Sequence, residues 1–155
     1  MTGLRRLGMV LVFLCLVQYL LGMLLNLYVA IPRHHPGTSG SDYFERAFQS
    51  VLWGHSPHRS TVLASHVGLG ILIVLLSLGL ALAAFRAAGR GLRWVSTLGL
   101  LAVVAAGFNG ASFLSYYKNL SSMIMAAAFA VAVFCFSWVI FRAGAKPPKA
   151  SVSNA

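Results

Sequence analysis

The chain has 155 residues, 59% of them apolar and only 9% charged, whereas soluble domains average about 25% charged residues. Twelve lysines and arginines against two carboxylates give a formal net charge of +10. That composition excludes a soluble enzyme, a small secreted disulfide scaffold and a disordered chain.

Four uncharged apolar stretches account for it: Leu7–Ile31, Thr61–Phe85, Trp94–Tyr117 and Leu120–Phe141. Each exceeds the roughly 20 residues that carry a helix across a bilayer. None has the short alternating pattern of barrel strands. The expectation is an all-α integral membrane four-helix bundle over residues 1–142, with antiparallel neighbours wherever the connections are short. Met1–Arg6 and the run behind it have the order of a secretory signal, but the run is longer than the usual apolar region of about 7–15 residues. It reads as an uncleaved signal-anchor helix.

Charge then orients the chain. Arg5, Arg6, Arg86, Arg90, Arg93, Arg142, Lys146 and Lys149 fall on one side of four spans, and Arg33, Arg46, Arg59 and Lys118 on the other. Eight cations against four place both termini in the cytoplasm of a plasma-membrane protein by the positive-inside rule. The same cations attract anionic headgroups. No basic stripe interleaved with aromatic residues is present, so nucleic acid is not an expected partner. Cys15 and Cys135 both lie inside spans and read as small packing residues. A disulfide between them would require the first and fourth spans to be neighbours.

The loop at 32–60 carries its own element. Tyr43, Phe44, Ala47, Phe48, Val51 and Leu52 recur at helical spacing. Asp42 and Glu45 have the spacing of a capping box, and Gly54 stands where a C-terminal glycine belongs. The spacing predicts an amphipathic helix over about 42–53, with Glu45, Arg46, Gln49 and Ser50 on its opposite face. Such a helix lies at the outer interface or closes over the bundle. Residues 143–155 read as a disordered cytoplasmic tail.

Polar residues inside a bilayer are costly, so their positions matter. At 100° per residue, Gly8, Cys15, Gln18, Gly22 and Asn26 share one face of the first span. His66, Gly70, Ser77, Ala81 and Ala84 share a face of the second, and Ala102, Ala105, Asn109, Ser112 and Tyr116 a face of the third. Small and polar faces turn inward and let helices approach. Asn26, His66, Asn109, Met123 and Met125 also fall at similar depth, on the order of 5–12 Å below the outer ends of their spans. Two readings stand: a polar chamber formed by Asn26, His66, Asn109 and Ser112, or a hydrogen-bonded network fixing helix register. Outside the spans, His34, His35, His55 and His58 flank the loop helix as candidate zinc or copper ligands. Interfacial turn residues are the plainer reading of the same four. No carboxylate lies within any span, and no serine is paired with a recognisable base.

The order of four spans, a long first outer loop, a histidine near the outer start of the second span and a short last turn resembles one half of the heme A synthase family. It also looks like four-helix b-type cytochromes. The segment Leu98–Ala130, LGLLAVVAAGFNGASFLSYYKNLSSMIMAAAFA, is similar in texture to that family's third-to-fourth-span passage. The resemblance implies an axial haem ligand at His66 and haem b as cofactor. The family has a second histidine near the outer start of its fourth span, where this chain has Met123 and Met125. It also has a glutamate before its second-span histidine, and this chain has none there. A His–Met pair is a competent axial set for haem iron, and Gly70 one turn below His66 would leave room for a flat ring.

Two functions are therefore expected to compete. One is a non-enzymatic accessory subunit that binds another membrane protein, a second copy or lipid through the bundle and its outer cap. The other is a redox or metal protein using His66 with Met123 or Met125, or the outer histidines. Transport of a neutral solute lacks a continuous polar path, since the lower halves of the second and fourth spans offer only Ser77 and Ser137.

Overall fold

A computed structural model of the chain describes residues 2–39, 42–56 and 60–144. Among these residues five α-helices follow one another, α1 (Thr2–Tyr28), α2 (Tyr43–Gly54), α3 (Thr61–Ala87), α4 (Arg90–Tyr116) and α5 (Asn119–Gly144), with a 3-10 turn at Pro36–Thr38 before α2. The four long helices are each long and apolar enough to span a membrane, and the protein is an all-α four-helix membrane bundle. No strand occurs among the described residues.

The long helices form a square. α1 adjoins α3 and α5, and α4 adjoins the same two, which leaves α1 and α4 on one diagonal and α3 and α5 on the other. Arg5, Arg6, Arg86, Arg90, Arg93 and Arg142 collect at one end, here the basic end. Arg33, Arg46 and Lys118 collect at the other with α2, the cap end.

Helix ends depart from the sequence expectation in both directions. α1 begins before Arg5 and Arg6, because a helix can continue past the hydrocarbon boundary with its cations outside it. It stops at Tyr28 rather than Ile31, where the chain bends towards the cap. α5 continues through Gly144, so the first two residues of the expected tail are helical; residues 145–155 lie outside the described residues. The turn between α4 and α5 is short because Tyr117 takes the left-handed conformation, φ 53°. Glycine is the usual residue there, and a bulky side chain carries a cost. The Tyr117 hydroxyl offsets it by donating to the Pro32 carbonyl. Burial holds this phenol above its ordinary pKa, while Arg33 pulls it the other way, so it remains a donor at neutral pH.

The seam of the bundle has a period of 3.5. In α1 the buried or half-buried positions include Leu4, Gly8, Leu11, Cys15, Gln18, Gly22 and Leu25, and in α3 they include Leu63, His66, Gly70, Ile73, Ser77, Leu80 and Ala84. Alternating steps of three and four are the signature of left-handed supercoiled packing. Along it run two apolar cores. The larger is centred on Leu11, Leu80, Phe136 and Val139. The smaller lies under the cap and joins Leu25, Trp53, Leu63 and Leu114. Phe136 is wholly buried, with its ring against Gly99 of α4 and its backbone against Gly8 of α1. A Cβ at Gly99 would lie 2.8 Å from its Cε1, and one at Gly8 would lie 3.4 Å from its carbonyl and 3.0 Å from Ile140 Cγ1. Cys15 and Cys135 are both buried free thiols, although α1 and α5 are neighbours.

Candidate functional site

Between the two apolar cores lies one polar layer. The Gln18 amide nitrogen sits 3.2 Å from His66 Nε2 and donates to the His66 carbonyl at 3.0 Å. Since that nitrogen is a donor to the carbonyl, His66 Nε2 is the acceptor and Nδ1 carries the ring proton. Two glycines make the approach possible: a Cβ at Gly22 would lie 3.2 Å from His66 Cε1, and one at Gly70 would lie 3.3 Å from the Gln18 amide. The layer is incompletely satisfied. His66 Nδ1 and Gln18 Oε1 are buried without a hydrogen-bond partner.

The residues expected to form a chamber with His66 go elsewhere. Asn26 is exposed. Its predicted position assumed 3.6 residues per turn, and over five turns the 3.5-residue seam drifts away, so Leu25 takes the inward place. Asn109 turns back to its own helix and donates to the Ala105 carbonyl at 2.9 Å. Ser112 meets Ser121 of α5 at 3.2 Å. His66 and Gln18 thus clasp α1 to α3, and the serines hold α4 to α5.

These positions do not fit an axially ligated haem. The nitrogen that would face iron is held by the Gln18 amide, and the ring edge packs over Gly22. Met123, on the diagonal helix, is turned outward and 65% exposed. The Met125 sulfur lies against Gly110 of α4, 3.3 Å from where a Cβ would stand.

The cap is built from residues the composition does not single out. The segment 35–38, with its 3-10 turn, lies along α2 with His35 at Trp53, Gly37 at Ser50 and Thr38 at Arg46. His35 stacks on Trp53 with ring centroids 4.3 Å apart and an interplanar angle of 12°. Its Nε2–H donates to the Leu114 carbonyl at 3.0 Å, one of the last carbonyls of α4 that helix geometry leaves unpaired. Gly37 presses onto Ser50, and Arg46 donates to the Thr38 carbonyl. Ser50, fully buried, meets Ser115 of α4 at 2.9 Å. Arg46 also lies 4.7 Å over the Tyr116 ring, which Tyr43 stacks at 5.5 Å. The Asp42 cap forms as expected, accepting from the Glu45 backbone N–H at 2.8 Å.

One expectation for α2 needs correction. Gly54 does not terminate the helix in a left-handed turn, since no described glycine has positive φ. It lies inside α2, buried against Val67 and Leu63 of α3. Of the expected apolar row only Ala47 is buried, together with Ser50 of the opposite face and with Trp53 and Gly54, while Phe44, Phe48 and Leu52 are exposed.

Among the described residues His34, His35 and His55 form no metal-binding group. His34 is exposed while its neighbour His35 is buried, because successive residues in extended backbone point opposite ways. His55 packs on Gly68 of α3, and His58 lies outside the described residues. Among the described residues no three histidine, cysteine or carboxylate side chains gather as a metal site.

The Gln18–His66 clasp is testable in isolation. A double-mutant cycle of Gln18→Leu and His66→Leu, read from unfolding in mixed micelles, is expected to return a coupling of about 1 kcal/mol, the usual scale for a hydrogen bond between membrane helices. Zero coupling would mean that the two side chains do not stabilise each other.

Comparison with protein families, curated proteins and solved structures finds no match to this chain.

Proposed function

We propose that this is a non-enzymatic accessory protein of the plasma membrane, with both termini cytoplasmic, that holds a membrane partner through its bundle and its extracytoplasmic cap. The observation that carries this reading is the use made of the polar groups at the cap end. Gln18, His66, Ser50, Ser112, Ser115, Ser121 and His35 all serve contacts between elements. What they build is a platform in which α2 is fastened to α4 by a hydrogen bond and ring stacking. The proposed orientation rests on the excess of cations at the basic end.

A platform of this kind is tested by what remains attached to it. Full-length protein taken from its native membrane in mild detergent is expected to run as a complex of defined stoichiometry in native mass spectrometry, with a second membrane protein or a second copy. Protein that behaves solely as a free monomer under those conditions would sink the accessory reading.

A further inference from the structure

α2 meets the bundle mainly through small residues, Trp53 and the Tyr43–Tyr116 stack, which leaves an apolar row largely exposed. Phe44, Phe48 and Leu52 recur once per turn and are 73%, 65% and 58% exposed. The row is continuous with the flank of α4. The Phe44 ring lies 5.8 Å from Phe108, and Tyr43 lies 5.1 Å from the same ring. Phe108 shares an exposed face with Val104 and Leu101, part of the belt that a membrane-spanning helix turns to acyl chains. The apolar belt of α4 therefore runs on, unbroken, into α2.

Polar groups mark where that belt meets the headgroups. Tyr116, the last residue of α4, has the Arg46 guanidinium over its ring and the Lys118 ammonium 5.8 Å away. Tyrosine with lysine or arginine is the usual interfacial anchor. Glu45 and Gln49, bonded to each other at 3.0 Å, occupy another side of α2. An apolar row, a polar side and cations at headgroup height describe a helix lying in the plane of an interface.

We propose that α2 is inserted in the lipid monolayer on the cap side, with Phe44, Phe48 and Leu52 among the acyl chains and Lys118 at the level of the headgroup phosphates. A second copy is the weaker occupant. Three side chains offer on the order of 500 Å², short of the roughly 800 Å² per partner of a stable interface. The proposal rests on the four spans and not on the accessory role, so a free monomer would leave it standing.

The test uses the full chain in phosphatidylcholine–phosphatidylglycerol vesicles. Both native thiols are buried, so a single added cysteine takes an environment-sensitive fluorophore selectively. Labels at Phe48→Cys and, independently, at Leu52→Cys are expected to be quenched by lipids spin-labelled near the headgroup, and several-fold less by aqueous iodide. A label at Glu45→Cys is expected to show the reverse preference. Iodide quenching at Phe48→Cys as strong as at Glu45→Cys would overturn the proposal. So would protection from both quenchers with disulfide cross-linking between copies, which would give the row to a second chain.

Discussion

Gly37→Ala is expected to unseat the cap while leaving the four-helix bundle folded. An alanine Cβ would overlap Ser50 Oγ and lie 2.6 Å from Ser50 N and 2.8 Å from Ser50 Cα. The hydroxyl can rotate away, but the other two atoms belong to the backbone of α2. Relief therefore requires the segment 35–38 to lift from the helix. The requirement is for space, since the backbone at Gly37 is not in the left-handed region. Lifting the segment withdraws His35 from the Leu114 carbonyl and from Trp53, and leaves buried polar groups unpaired. Forced overpacking of this kind costs about 1–3 kcal/mol, a large part of the stability of a helix of 12 residues held at few points. Hydrogen exchange reads the outcome: protection is expected to fall over 35–38 and 47–54 and to persist through α1, α3 and α5. Ser50→Ala is expected not to rescue it, because the backbone clash remains. Undiminished protection at the cap would show that the close approach is not what seats it.

The spans were legible because length and apolar composition alone decide them, and the start of α2 was legible through the Asp42–Glu45 pair. Which face of each element turns inward was harder to read, for a physical reason. In water an amphipathic helix buries its apolar side, but acyl chains are as apolar as leucine. Packing in lipid is then driven by close approach and polar contact. Hence Ala47, Ser50 and Gly54 of α2 face the bundle while Phe44 and Phe48 face away. The same stripe that named Gln18 and Gly22 also named Asn26, because it was drawn at 3.6 residues per turn and the seam runs at 3.5. A heptad reading of α1 takes Gln18 and Leu25 and omits Asn26. No spacing rule could have paired His35 with Leu114 or Gly37 with Ser50, since those contacts depend on how a loop folds back across α2.

Phe136→Ala is expected to cost more than any other single truncation in the bundle. Among the described residues Phe136 is the largest wholly buried side chain, and its ring fills the space that Gly99 of α4 leaves open. In lipid the loss is not one of burial from water, because the unfolded reference is also apolar. It is a loss of van der Waals contact around a void that neighbouring helices cannot close. Truncations of phenylalanine in water-soluble cores cost about 3–5 kcal/mol with the transfer from water included, so the packing loss alone is expected to fall below that range while remaining well above that of an exposed site. Phe134→Ala, two residues away and 66% exposed, removes the same atoms from the lipid face and is expected to change stability by less than about 0.5 kcal/mol. Unfolding by titration with sodium dodecyl sulfate in mixed micelles compares the two directly. The lock also predicts non-additivity. Gly99→Leu alone drives its side chain into the Phe136 ring, since even its Cβ would lie 2.8 Å from Cε1. Combined with Phe136→Ala, that leucine enters the vacated space, so the double variant is expected to be more stable than either single change implies. Strict additivity of the two losses would mean that Phe136 and Gly99 do not share one volume.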